Sequence, residues 1–496
     1  MSNTTLQRGA GLLLPIYALP APFGVGTLGK CAYEFVDFLS GADQKYWQVL
    51  PAGPTTYGDS PYQSYSAFAG NPYFIDLEML VQEGLLSWDE INRLSWGDHP
   101  SYVSYNLLFQ NRPQVLKLAF GRSRHKETEE YKRFCEENSF WLEGYALFMA
   151  CKEHFNYQAW HKWEEGLKFR KPEALKKYGE LLKENVEYHK FCQYQFFRQW
   201  EKLKVYANEK NVEIIGDIPI YVAPDSADIW EHPEYFQLDE TLTPTKVAGV
   251  PPDAFSDDGQ LWGNPLYDWD AIEETDFLWW RERMKASAKL YDCLRIDHFI
   301  GVVRYYTIPY GASNAKEGEW VWGPGKKLIK ALKEEAGHTK IIAEDLGIVI
   351  PEVVELMEEE GLPGMKIIEF AYGGDNTNPH LPHNYTPNSI VYGGTHDNET
   401  LAGHFQGKSG WEVEYAMEYM GIKEPDRMID RIFRTAYQSV ASVAIFQVQD
   451  VLHLGNEART NEPSTTGNNW KWRLYPGQLT YQEQGYLKRL VWVFRR

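Results

Sequence analysis

The chain has 496 residues, 43% hydrophobic and 24% charged, which allows a large buried core and excludes a disordered or fibrous protein. With 69 acidic against 50 basic residues it carries a formal net charge of -19, which repels phosphate backbones and anionic lipid and argues against nucleic acid and membrane surfaces as partners. Aromatic residues reach 15%, including 18 Trp and 32 Tyr; such rings suit the apolar faces of sugars as well as they suit a core.

At the start of the chain, Gly11 to Pro22 is short and apolar and follows Arg8, loosely like a secretory leader. Pro15 and Pro20 interrupt it, and a first strand at 12–16 is the better reading. Gly24-Val-Gly-Thr-Leu-Gly29 matches the GxGxxG spacing of dinucleotide sites. Pro20 and Pro22 separate it from the strand, whereas that fingerprint needs a tight strand-to-helix turn, so it reads as a plain loop. Residues 1–80 are rich in Gly, Pro and Tyr. Residues 84–210 are charged and helical in period, as in Glu130-Tyr-Lys-Arg-Phe-Cys-Glu-Glu and over 191–205, and predict a mainly helical insertion. From about 212, short apolar runs alternate with helical stretches, the pattern of a parallel sheet. Within it, 224–270 reads as a loop insertion. The five cysteines are odd in number, scattered and free of any CxxC, so neither a disulfide framework nor a zinc cluster follows, and reduced thiols in the cytoplasm are the simplest account. No apolar run reaches the length of a membrane span.

Four of the apolar runs end in an acid: residues 212–216 lead to Asp217, 294–296 to Asp297, 341–343 to Glu344 and 390–396 to Asp397. The last three are separated by enough chain for one strand, one helix and a loop. In a (β/α)8 barrel all strands open onto one face at their C-terminal ends, so acids at strand ends converge on one pocket. The predicted fold is therefore α/β, a (β/α)8 TIM barrel with helical and loop insertions over 1–496 as a single catalytic unit. A doubly wound nucleotide-binding sheet is the alternative, and acids at several strand ends fit it less well.

Converging carboxylates suit glycosidic chemistry, in which one attacks or stabilises the anomeric carbon and another protonates the leaving oxygen; in retaining enzymes they lie close together. Asp297 fits the nucleophile, because Arg295 two residues earlier shares its face of the strand and favours the charged form. A structural Arg–Asp pair is the alternative. Glu344 fits the acid/base, provided its surroundings raise its pKa; a purely structural acid is the alternative. Asp345 then points to the other face, where it is expected to cap a helix. Asp397, between His396 and Asn398, fits a third carboxylate beside the sugar, or a plain turn. The sequence has no GxSxG elbow, no HExxH motif, no GxxxxGK[ST] loop and no EF-hand-like loop, so neither a cofactor nor a metal is expected.

Several segments carry a resemblance. They are Tyr57-Gly-Asp-Ser-Pro-Tyr-Gln-Ser64, Gly70-Asn-Pro-Tyr73, Gly216-Asp-Ile-Pro-Ile-Tyr-Val222, Gly249-Val-Pro-Pro-Asp-Ala-Phe-Ser256, Leu261-Trp-Gly-Asn-Pro-Leu-Tyr267, Arg295-Ile-Asp-His-Phe299, Ala343-Glu-Asp-Leu-Gly347, Gly394-Thr-His-Asp-Asn398 and Gly455-Asn-Glu-Ala-Arg459. In this order, nearly end to end, the chain resembles the amylomaltases, the 4-α-glucanotransferase family related to the α-amylases. The resemblance implies a barrel without a separate C-terminal β-domain. It implies Asp297 as nucleophile, Glu344 as general acid/base and Asp397 as transition-state stabiliser. It places Asp217, Arg295, His298, His396 and Tyr62 around the transferred sugar. Trp262 and the flap over 249–256, with Asp253 and Phe255, fall on the acceptor side. Tyr57 matches a position linked to an outer glucan site, and Ser60 joins the sugar-binding set. Ala254 stands where some members carry an aromatic residue, which bears on the size of the acceptor groove.

The implied partners are maltooligosaccharides and α-1,4-glucans, for a monomer or weak homo-oligomer in the cytoplasm. Transfer of glucan segments is the expected reaction, with cyclic products as a possible variant. The same carboxylates also serve an α-amylase-type hydrolase, and product balance separates the two. A non-catalytic glucan-binding protein is disfavoured because all three acids are present.

Overall fold

The computed structural model describes residues 6–252, 256–406, 408 and 410–496. Eight short parallel strands form the centre: β1 Gly9–Leu13, β2 Tyr46–Gln48, β3 Glu213–Pro219, β4 Cys293–Asp297, β5 Lys340–Ala343, β6 Gly364–Ile367, β7 Ser389–Tyr392 and β8 Val443–Gln447. The order β6-β7-β8-β1-β2-β3-β4-β5 wraps them into a nearly closed barrel. Ladders join every neighbouring pair except β5 and β6. That seam is fastened by the Ala343 N–H donating to the Pro363 carbonyl at 3.0 Å and the Met365 N–H donating to the Asp345 carboxylate at 2.6 Å.

Side chains alternate across each strand. Leu12, Trp47, Ile214, Leu294, Ile341 and Val391 face the surrounding helices and belong to the main core. Leu13, Tyr46, Ile215, Cys293, Ile342, Met365, Ile390, Tyr392, Val443 and Ile445 form a separate cluster that fills the barrel. β1 approaches β2 closely because Gly11 lacks a side chain; a Cβ there would come within 2.3 Å of the Tyr46 carbonyl oxygen. Period-two alternation carries the inward register upward from Ile215 to Asp217, from Cys293 to Arg295 and Asp297, and from Ile342 to Glu344. The polar site thus stands on an apolar plug.

The first strand begins earlier than the expected 12–16 and ends at Leu13, because Pro15 leads into a 3-10 turn over Ile16–Ala18. The Gly24–Gly29 segment is a loop before the helix Lys30–Gly41. Where a nucleotide phosphate would approach, the Asp76 carboxylate already sits against Gly29 and accepts from the Thr27 hydroxyl at 2.6 Å.

Between β2 and β3 the chain runs through a set of helices, of which Lys183–Glu209 and Ser139–His154 pack together most extensively. The loop 49–76 leading into this segment is pinned to the long helix. The Gly70 N–H donates to Gln193 Oε1 at 2.7 Å, Gln193 Nε2 returns a bond to the Gly70 carbonyl at 2.9 Å, and the Asp76 N–H donates to Gln199 Oε1 at 2.7 Å. The segment 224–270, read from sequence as loop, contains two strands, Lys246–Val250 and Gln260–Pro265. They join Arg304–Pro309 and Glu319–Trp322 in a four-stranded antiparallel sheet beside the barrel mouth, a pairing invisible in either stretch alone. After β8 the chain ends in the helix Tyr481–Phe494, with no further sheet among the described residues. All five cysteines are free thiols, and no helix among the described residues is long and apolar enough to cross a membrane.

Candidate active site

The site is organised around Arg295, which is fully enclosed at the mouth of β4. Its Nη1 donates to both oxygens of Asp217, at 2.8 and 2.7 Å, and to Asp297 Oδ1 at 2.9 Å. Register explains this: Asp217 pairs with Arg295 and Pro219 with Asp297 across β3 and β4. Burial disfavours the Arg295 charge, but Asp217, Asp297, Tyr62 and Glu344 around it outweigh that and hold its pKa well above the ordinary value. The Tyr62 hydroxyl donates to Asp217 Oδ2 at 2.7 Å and so ties the loop 49–76 to the barrel floor.

Glu344 stands at the adjoining end of β5, one residue past the Ile296–Ala343 pair. It is 7% exposed. β4 ends at Asp297, and the backbone turns through the left-handed region at His298, φ 52°. The His298 N–H there donates to Glu344 Oε2 at 2.5 Å, and the Leu346 N–H donates to Oε1 at 3.1 Å. Burial pushes the Glu344 carboxyl well above the usual range; the Asp297 and Asp345 charges add to this, while Arg295 and the His298 N–H oppose it. A buried carboxyl of raised pKa next to an arginine-held carboxylate suits glycosidic bond cleavage. Asp345 does not cap a helix. It accepts from the Met365 N–H across the barrel seam, and the next helix, Pro351–Glu360, begins beyond it with Ile350 at its N-cap.

Asp397 lies beyond the end of β7, in a turn closed by the Thr395 N–H and hydroxyl donating to Asn398 Oδ1 at 2.8 and 2.9 Å. The triplet is therefore both a turn and part of the site. Asp397 Oδ2 lies 3.2 Å from His396 Nε2, and Oδ1 accepts from Asn461 Nδ2 at 2.6 Å. Arg459 donates to the Asp397 carbonyl at 2.8 Å. Burial alone would raise the pKa of Asp397, but the His396 charge and hydrogen bond, the Asn461 amide and Arg295 together bring it down to about 2. The His396 ring stacks on Tyr62, centroids 5.0 Å apart and 16° between planes, and Trp470 backs both rings. Asn461 and Trp470 were not found from sequence, and Arg459 appeared only as the end of a motif with no role. That motif, Gly455–Arg459, is the signal that marks the loop closing over Asp397.

At the rim, Trp262 meets the His298 ring edge-on at 4.8 Å and 89°. Burial lowers the His298 pKa to about 4 against the pull of Asp297, so the ring is neutral, and its Nε2 is buried without a partner. That nitrogen points to a hydrogen-bonding ligand. Ser60 Oγ accepts from the Tyr62 N–H at 3.3 Å and shapes the turn that presents Tyr62. Tyr57 projects from the same loop fully into solvent. Arg295, Asp297, Glu344, Asp217, Tyr62, His396, Asp397, His298 and Trp262 are thus linked by direct contacts, whereas Tyr57 stands apart. Asp253, Ala254 and Phe255 lie outside the described residues. Among those described, no cluster of His, Cys, Asp and Glu is suited to a metal ion.

The 4-alpha-glucanotransferase family model matches residues 14–479. A 4-alpha-glucanotransferase of Clostridium butyricum is 50% identical over 483 residues, covering 97% of this chain and 99% of the relative. One of Thermus thermophilus is 44% identical over 497 residues, covering 98% of each. Among solved structures, amylomaltase from Streptococcus agalactiae in complex with acarbose superposes with a TM-score of 0.95 at 43% identity, covering 99% of this chain and 100% of that one. Amylomaltase from Corynebacterium glutamicum shares the fold at a TM-score of 0.79 and 18% identity, covering 97% and 75%. With a barrel of the same kind matched end to end, the chain belongs to the 4-alpha-glucanotransferase family.

Proposed function

We propose that this enzyme transfers segments of α-1,4-glucan by double displacement, with Asp297 as nucleophile, Glu344 as acid/base and Asp397 as stabiliser of the charged transition state. The observation that carries this is the placement of an arginine-held Asp297 beside a buried Glu344 whose pKa burial raises. In the first step Glu344 gives its proton to the glycosidic oxygen while an Asp297 oxygen attacks the anomeric carbon. The C–O bond breaks, one glucan leaves with a free 4-hydroxyl, and the other remains as an ester of Asp297. In the second step a 4-hydroxyl of an incoming glucan attacks that carbon, Glu344 takes its proton, and the ester bond breaks. Two inversions restore the α configuration. Arg295 keeps the nucleophile in place; Asp217, Tyr62, His298 and His396 bind hydroxyls of the sugar being transferred; Asp397, ionised down to about pH 2, faces the positive charge that develops on the ring.

Transfer and hydrolysis share the ester and differ in what attacks it. The strands Lys246–Val250 and Gln260–Pro265 flank the segment 251–259, and Trp262 stands on the second of them against His298. In this reading Trp262 and the facing ends of these two strands line the acceptor side and favour a sugar over bulk water. The substrates are maltooligosaccharides and longer α-1,4-glucans, and Tyr57 and Ser60 belong to an outer binding surface. Incubation with maltotriose tests the reading: glucose should appear together with maltopentaose and longer glucans while total reducing ends stay constant. A steady rise in reducing ends would make the enzyme a hydrolase.

A further inference from the structure

A second cavity, about 870 Å³, opens between the helical segment and the barrel, and none of the residues assigned to the chemistry line it. Its walls come from the helices Glu129–Glu137, Ser139–His154, Lys183–Glu209 and Leu278–Leu290. Aromatic rings make the floor: Phe134 packs on Phe197 at 5.7 Å, Phe197 on Trp141 at 5.8 Å, and Phe140 edge-on to Phe68 at 5.3 Å. Phe140 is 42% exposed and so presents part of its ring to the cavity.

The rim decides what that something is. Four carboxylates and four cations line it, so the rim is neutral in a protein of net charge -19. Some already pair, as Lys289 does with Glu137 at 3.7 Å. A balanced rim offers no net attraction to a phosphate, a polybasic segment or an acidic peptide. It does offer donors and acceptors around an aromatic floor, which is what a neutral, polyhydroxylated chain of rings uses: C–H faces on the aromatics, hydroxyls on the charged edge. The volume falls within the range of ligand sites. We infer that this cavity binds a stretch of α-glucan outside the catalytic site and tethers long substrates to the enzyme. The inference rests on the proposed glucan chemistry. Phe68, in its wall, belongs to the loop that also carries Tyr62 and Tyr57.

Two substitutions test it from opposite directions. Phe140→Ala removes an exposed ring of the floor, and Ala286→Trp fills the cavity from the helix Leu278–Leu290 while leaving the floor intact. Each variant is run in native gels containing amylose, and each is assayed for maltotriose disproportionation. Amylose should retard both variants about two- to tenfold less than wild type, the range expected for losing one or two ring stackings, with maltotriose turnover unchanged. Unchanged retardation in either variant that still turns over maltotriose would overturn the proposal. So would a fall in retardation that always accompanies a fall in maltotriose turnover, because the effect would then run through the catalytic site. If Phe140→Ala does not fold, Ala286→Trp alone decides. Absence of maltotriose turnover in the wild-type enzyme would instead count against the transferase reading, whatever the gels show.

Discussion

The catalytic corner and the rim of this barrel are built differently. At the corner, Arg295 and Asp217 are buried, Tyr62 is half-buried, and they bond to one another and to Asp297 at 2.7–2.9 Å. At the rim, Tyr57 is wholly exposed and Trp262 is held by one hydrogen bond to Gln260 Oε1 at 3.1 Å and by ring contacts with His298 and Tyr221. The corner meets the same anomeric carbon in every cycle, so fixing it in advance lowers the barrier each time. The rim meets glucans of different length and gains from surfaces that bind without dictating geometry. Chemistry and chain-length choice should therefore separate under mutation.

The largest effect should come from the two carboxyl groups. Asp297→Asn and Glu344→Gln should each cut turnover by about a thousandfold or more, since each removes one partner of both displacement steps. Circular dichroism should stay native, and substantial residual activity in either purified variant would remove that residue from its role. Arg295→Met should damage stability as well as rate. It leaves Asp217 fully buried without its counter-charge, which costs about 3–5 kcal/mol, read from urea unfolding. A stable Arg295→Met protein would mean that Tyr62 alone satisfies Asp217.

The pH profile sharpens the contrast further. The first step needs Glu344 protonated, and burial raises its pKa, so kcat/KM should fall as pH rises past that raised value. Asp397 at about 2 stays ionised throughout and sets no limb in the working range. Asp345→Asn keeps an acceptor for the Met365 N–H but removes a charge that raises the Glu344 pKa; the alkaline limb should move to lower pH by a fraction of a unit. A shift to higher pH would contradict the assignment.

Smaller effects belong to the rim. Trp262→Ala should lower kcat/KM by about tenfold, through acceptor stacking and the loss of the edge that holds His298. Tyr57→Ala should leave unfolding within about 0.5 kcal/mol of wild type and change mainly the product-size distribution. Equal, total loss on maltotriose and amylose would make Tyr57 structural.

Sequence made the corner legible because strands are local. Alternation put Arg295 and Asp297 on one face, and apolar runs ending in acids located Asp217 and Glu344. What it missed depends on pairing between distant stretches. Asn461 and Trp470 reach the His396–Asp397 turn from a loop after β8, and nothing near residue 397 announces them. Asp345 looked like a cap because an acid after a strand often precedes a helix; its partner is an amide on the next strand. Of the strands inside 224–270, Lys246–Val250 pairs with Gln260–Pro265 within the stretch and with Arg304–Pro309 on the other side of β4, and only the second of these pairings is remote in sequence.

The barrel seam gives the acid/base a particular mounting. β5 is laddered on one side to β4 and fastened on the other only through the Pro363 carbonyl and the Asp345 carboxylate. A hoop with one slit concentrates its give at the slit, and Glu344 sits at the end of the stave beside it. The staves bearing Asp217 and Asp297 are laddered on both edges or tied together through Arg295. Glu344, the proposed acid/base, is thus carried on the compliant edge, while Asp297, the proposed nucleophile, is carried on the stiff one.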